Sequence, residues 1–284
     1  MLDRTAGTLE GKTAVVTGGG GGIGRGIALA FASHGASVVV AERDADRAAE
    51  TAGVIEKNGG RALPVVVDVQ DRDAVERLVS ATHDEFGPVD SLVNNVGDYL
   101  RISKPFVEST EDEWEALYDI NFRHVMRCTQ AFLPGMLGRG NGGTIINIST
   151  IEAFRGIPNC AVYSAFNSAI TGFTKSLAIE LGPEGIRVNA IAPETTETLQ
   201  VQPSRWIPDA LKDRIPFWTP LGRFGTPDDA AGCALFLASD LSAWVTGTTI
   251  HLDGGALAAG GFYRAPDGSW TNLPVVTGGG VGGT

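Results

Sequence analysis

Seven short runs of apolar, largely β-branched residues recur along this chain, and longer stretches with helical periodicity lie between them. They fall near 12–17 (KTAVVT), 37–42 (SVVVAE), 62–67 (ALPVVV), 90–93 (DSLV), 143–148 (GTIINI), 186–191 (IRVNAI) and 248–252 (TTIHL). Strands that are apolar at consecutive positions are buried on both faces, and helical connections between them require a parallel sheet with helices on either side. The pattern predicts an α/β fold with helices near 22–34, 45–58, 71–86, 111–137, 161–182 and 227–239, several ending near Gly or Pro. At 284 residues the chain is long enough to bury a sizeable core.

Composition removes several functional classes. A net charge of −11 without a Lys/Arg cluster argues against a nucleic-acid partner, because phosphate contacts need a basic face, and it disfavours anionic membranes for the same reason. There is neither a charged-then-apolar leader nor an apolar run of about 18 residues, so a cytoplasmic location is expected. Cys128, Cys160 and Cys233 are odd in number and lack metal-ligand spacing, which predicts free, mostly buried thiols and no metal site.

Two segments break the strand–helix rhythm. Residues 194–219 form a long insertion carrying Trp206, Ile207, Phe217 and Trp218, which reads as a lid over a binding site or as a surface loop with packed aromatics. Residues 256–284 are Gly-rich and cannot form a core of their own, so they are either disordered or held by a neighbouring subunit.

The chemistry begins at T-G-G-G-G-G-I-G, residues 17–24, placed where the first strand gives way to a helix. Glycines there let the backbone approach a pyrophosphate, whose charge meets the helix N-terminus. The second strand ends in Glu42, where a carboxylate accepts hydrogen bonds from an adenosine ribose. Glu42 repels a 2′-phosphate and favours NAD, whereas the neighbouring Arg43 suits the extra phosphate of NADP; the carboxylate is given the greater weight.

Over about residues 9–255 the chain resembles the short-chain dehydrogenase/reductase family. The resemblance rests on Thr17 to Gly24 as T-G-x-x-x-G-x-G (Gly18, Gly22, Ile23, Gly24), on Asp68-Val69, and on N-N-V-G at 94–97 with Asn95 and Gly97. It continues through Asn121 in DIN, INIST ending the fifth strand, Tyr163, VNAIAPETTET with Pro193, Thr196 and Thr198, and HLDGG at 251–255. It implies one Rossmann-like domain, residues 1–255, whose doubly wound seven-stranded parallel sheet forms a three-layer αβα sandwich. It also implies a nicotinamide cofactor, hydride transfer between an alcohol and a carbonyl, and a homotetramer or homodimer packed through the helices at 111–137 and 161–182. In such enzymes a tyrosine is the acid/base, a serine orients the substrate oxygen, a lysine lowers the tyrosine pKa and holds the ribose, and an asparagine supports a proton relay.

Three positions depart from that pattern. The serine position holds Thr150, with Ser149 beside it; strand alternation says that only one faces the site, and Thr150 is the choice. The lysine position holds Asn167, one helical turn after Tyr163, which keeps a ribose hydrogen bond but supplies no charge. Without that cation the phenol stays near its ordinary pKa of about 10. Pro193 is followed by Glu194 where the family has glycine, and its carboxylate is expected to face solvent. Lys104, Arg123 and Arg155 are candidate replacement cations, each expected as a solvated surface charge.

The leading functional expectation is an NAD-dependent dehydrogenase or reductase for a bulky hydrophobic secondary alcohol or ketone. Beside it stand a nucleotide-binding protein with little turnover and a family enzyme in which Asn167 is a substitution made to trap a complex.

Overall fold

The computed structural model describes residues 5–215, 219–260, 263–264 and 270–271. Its main sheet contains β1 (Thr13–Thr17), β2 (Ser37–Glu42), β3 (Arg61–Val66), β4 (Ser91–Asn94), β5 (Gly143–Ile148), β6 (Ile186–Pro193) and β7 (Thr249–Leu252). All neighbours pair in parallel in the order β3-β2-β1-β4-β5-β6-β7. Each strand expected from sequence is present with ends displaced by at most two residues, so the α/β, Rossmann-like expectation holds.

Register explains why consecutive positions are apolar. Val39, Val15, Leu92, Ile145 and Val188 form one row across five strands, and all five join a core with Val75, Leu78, Phe132, Met136 and Leu181. The alternate residues Ala14, Val16, Val38 and Val40 face the other way, against Ile27, Phe31, Ala234 and Leu237. The helices supplying these contacts are α1 (Gly22–Ser33), α3 (Arg72–Phe86), α5 (His124–Arg139), α6 (Ala161–Leu181) and the helix Pro227–Ala238. Burying a side chain the size of Phe31 or Ile27 stabilises the fold by about 1.5–3 kcal/mol. β3 mixes exposed and half-buried residues and contains Pro64, as an edge strand tolerates.

Helix starts follow local chemistry. Asp44 caps α2 (Ala45–Lys57) by accepting from the Asp46 and Arg47 amides, and Thr110 with Glu113 forms a capping box on α4 (Glu111–Tyr118). The continuous helix expected at 111–137 is instead interrupted by a π-helical turn, Asp119–Arg123, between α4 and α5. Such wide turns are concentrated at functional sites.

Strand order reverses between β1 and β4, and open α/β sheets bind ligands at the carboxyl ends of strands at such a point. Within 194–219, Pro203–Trp206 is a short helix and Asp209–Arg214 a 3-10 segment. Phe217 and Trp218 lie outside the described residues, as does the side chain of Trp206. In the C-terminal extension Tyr263–Arg264 pairs antiparallel with Trp270–Thr271, while Phe262 lies outside the described residues. No helix among the described residues is long and apolar enough to cross a membrane.

Candidate active site

An elongated cavity of about 680 Å³ runs along the carboxyl ends of the strands. One end is made by the loop from β1 to α1. Gly18 has φ +65°, in the region that glycine tolerates, and a Cβ on Gly24 would collide with the Gly18 carbonyl. The start of α1 therefore presses against the end of β1 and turns its N-terminus to the cavity, with Gly18, Gly22 and Ile23 on the wall and Gly24 packed beneath. Glu42 lines the same end and accepts from the amides of Gly20 (3.2 Å), Arg43 (2.9 Å) and Asp44 (3.2 Å). Arg43, Asp68 and Val69 are also on this wall, joined by Arg47 and Gln70, which sequence reasoning did not select. Arg47 was legible in principle, since it lies one turn into the helix that follows Glu42.

Asn95 ties the halves of the sheet together across the reversal point. Its backbone N–H donates to Thr17 Oγ1 at 2.9 Å and its Nδ2 to the Thr17 carbonyl at 3.0 Å. Asn95 and Gly97 border the cavity.

At the other end, Asn121, Ser149, Thr150, Tyr163 and Asn167 converge from three elements, with Pro193 and Thr196 on the wall at and after the end of β6, while Thr198 reaches back against Gly22 of the glycine loop. The π turn places Asn121 so that its Nδ2 donates to the carbonyls of Asp98 (2.8 Å) and Leu117 (2.9 Å), while its Oδ1 accepts from the Asp98 amide (3.1 Å). The side chain thus braces the loop after β4.

Both Ser149 and Thr150 line the cavity, which corrects the expectation that only one would. The strand has ended and Thr150 caps a 3-10 turn, so strict alternation no longer holds. Their partners differ nonetheless: the Ser149 hydroxyl donates to the Asn167 carbonyl at 3.0 Å, whereas Thr150 hydrogen-bonds the Tyr163 phenol.

Burial raises the Tyr163 pKa; the Thr150 hydrogen bond lowers it, the charges of Glu152 and Asp98 raise it, and the result is about 12. Asn167 is 4% exposed and its Nδ2 donates to the Tyr163 backbone carbonyl at 3.0 Å, so it offers the phenol no cation.

The candidate cations separate into two kinds. Lys104 pairs with Glu113, and Arg123 pairs with Asp119 and Glu115 while stacking on Tyr118; neither lines the cavity. Arg155 and Glu194 overturn their expectations. Their side chains are 8% and 7% exposed, they are ion-paired, and Arg155 also grips Glu152 through Nε (3.2 Å) and a terminal nitrogen (2.9 Å). The Glu194 carboxylate was expected to face solvent; Arg155, 39 positions away, holds it inside. Burial holds the Glu152 pKa above the ordinary carboxylate value; Arg155 lowers it and Glu194 raises it, without cancelling that rise. Burial also opposes the guanidinium charge, yet its two carboxylates hold the Arg155 pKa above the ordinary value.

The three cysteines are free thiols, as expected, with Cys128 and Cys160 buried and Cys233 half-buried. Burial pushes Cys128 to about 12 and Cys233 to about 11, so neither is poised as a nucleophile.

An elongated cavity whose one end joins helix-terminal amides to a carboxylate fits a nicotinamide dinucleotide, the acid/base candidates standing at the far end. The comparisons agree with this geometry. The profile of the family described as Enoyl-(Acyl carrier protein) reductase matches residues 18–256. A 3-oxoacyl-[acyl-carrier-protein] reductase of Thermotoga maritima is 36% identical over 247 residues, covering 87% of this chain and 98% of that protein. The structure of a 7α-hydroxysteroid dehydrogenase complexed with NADH and 7-oxo glycochenodeoxycholic acid superposes with TM-score 0.83 at 33% identity, covering 90% of this chain and 98% of the other. A putative NAD(P)-dependent gluconate 5-dehydrogenase from Beutenbergia cavernae, with bound NADP, superposes at 0.81 with 36% identity, covering 89% and 99%. The chain belongs to the short-chain dehydrogenase/reductase family.

Proposed function

We propose that this protein is an NAD-dependent oxidoreductase that interconverts a bulky hydrophobic secondary alcohol and its ketone, with Tyr163 as the acid/base. The observation that carries the reading is the Tyr163–Thr150 pair at one end of a cavity whose other end holds Glu42. The cofactor supplies or accepts the hydride. Thr150 orients the substrate oxygen, Tyr163 holds the proton at that oxygen, Asn167 reaches a ribose hydroxyl, and Asn121 fixes the loop beside them. An apolar substrate is supported by Leu100, Ile157, Leu199 and Val201 on the wall, the last two from the lid at 194–219. NAD is favoured by Glu42. NADP is the second cofactor reading, supported by Arg43 and Arg47 on the same wall. The protein acts as a cytoplasmic homotetramer or homodimer packed through α4, α5 and α6, and gel filtration tests that assembly.

A second functional reading, a nucleotide-binding protein with little turnover, is supported by the neutral Asn167 beside a phenol that stays protonated at neutral pH. One experiment separates the two: NAD with a panel of hydrophobic secondary alcohols, from pH 7 to 10.5, on this chain and on Asn167→Lys. Because only the phenolate accepts a proton, oxidation by this chain is expected to rise about tenfold per pH unit below the Tyr163 pKa. A nearby cation lowers that pKa by about two to three units, so Asn167→Lys is expected to gain about a hundredfold at pH 7. Tight NAD binding without turnover in either form would favour the binding role.

A further inference from the structure

The buried cluster Glu152–Arg155–Glu194 has no part in proton transfer as derived above, yet two of its members reach the catalytic end of the cavity. Glu152 and Glu194 line the wall there, whereas Arg155 sits behind them, clasping both. Two carboxylates share one guanidinium, so the ionised cluster carries one net negative charge, and Asp98 on the same wall adds another acid. Asn167 contributes no charge, and the arginines on the cavity wall, Arg43 and Arg47, stand beside Glu42 at the opposite end. Glu194 is also fixed in place: one of its oxygens accepts from the Thr195 amide at 2.8 Å and the Thr195 hydroxyl at 3.0 Å. A largely buried excess of negative charge is costly unless a cation approaches it.

We propose that Glu152 and Glu194, held by Arg155, make this end of the cavity discriminate between the two redox states of the cofactor, holding the positively charged oxidised nicotinamide more tightly than the neutral reduced one. The proposal rests on the nicotinamide-dinucleotide reading above. The oxidised ring then supplies the positive charge that Asn167 does not. By reciprocity, whatever favours the oxidised ring through the phenolate also makes that ring lower the Tyr163 pKa, so the base is generated in the complex competent for alcohol oxidation.

The test measures dissociation constants for NAD+, NADH and ADP-ribose at pH 7, by calorimetry, on this chain, Glu194→Gln and Glu152→Gln, with thermal melts as a check on folding. Removing one charge is expected to lower the ratio Kd(NADH)/Kd(NAD+) about three- to tenfold in each variant. ADP-ribose, which lacks the charged ring, is expected to bind all three forms alike. If Glu194→Gln does not fold, Glu152→Gln reads the same ratio, and so does Asn167→Lys, which adds the opposing charge. Ratios that stay unchanged, or a parallel weakening of all three ligands, would overturn the proposal and leave the cluster a structural brace. Failure of this chain to bind either dinucleotide, phosphorylated or not, would instead remove the cofactor reading itself.

Discussion

The two ends of the cavity solve the same problem, placing charge beside a ligand, in opposite ways. At the Glu42 end the partners are local and the charge stays near solvent: Glu42 is satisfied by amides within two residues or in the adjoining loop, and Asp68 by the amide of Gln70. At the Tyr163 end, groups from residues 98 to 194 converge, and their charges are removed from water. Locally satisfied charges near solvent tolerate change one at a time. Buried charges from distant segments do not, because removing one leaves its partner stranded.

Five substitutions test that contrast. The largest effect is expected from Tyr163→Phe, which removes the acid/base and should lower kcat about a thousandfold while leaving the Kd for NAD within about twofold. An unchanged kcat would move the chemistry away from this end altogether. Next comes Arg155→Leu, which strands Glu152 and Glu194 and should cost about 3 kcal/mol of stability in urea unfolding. A loss below about 1 kcal/mol would place the cluster with exposed pairs such as Arg72–Glu76. Thr150→Ala should lower kcat about ten- to thirtyfold, because it removes a hydrogen bond to the phenol and to the substrate oxygen. Ser149→Ala should fall well short of that, its hydroxyl being committed to the Asn167 carbonyl; the reverse order would exchange their roles. The smallest effect belongs to the other end: Glu42→Ala should weaken NAD about fivefold and leave the pH profile unmoved.

The same contrast explains what sequence could reveal. The sheet was legible because each strand is buried on both faces and therefore written as an uninterrupted apolar run. The Glu42 end was legible because a strand, a glycine loop and an acid follow one another in a single βαβ stretch, although Arg47 was passed over. Most of the Tyr163 end followed from ordered motifs, yet its charge state did not. Glu152 and Arg155 sit within one turn of chain, while their third partner lies beyond α6 and β6, and no local pattern announces a pairing across that distance. The π turn was hidden for another reason: apolar spacing over 111–137 suits a continuous helix, and one extra residue per turn hardly disturbs it. Phe217, Trp218, the side chain of Trp206 and most of the C-terminal extension fall outside the described residues, so the expectations of a lid and of a held tail stand where the sequence left them.

That extra residue makes Asp119–Arg123 an angular adjuster. In a regular α-helix each residue advances the chain by about 100°, and the wider π turn takes up one residue more within the same rotation, so deleting one residue from it would leave regular winding with α4 and α5 still facing the sheet as they do. Asn121 would then lose the position from which it holds the Asp98 loop. A one-residue deletion there should therefore spare the packing and cost the Asn121 contacts, whereas the same deletion within α4 or α5 would swing a helix face by about 100°.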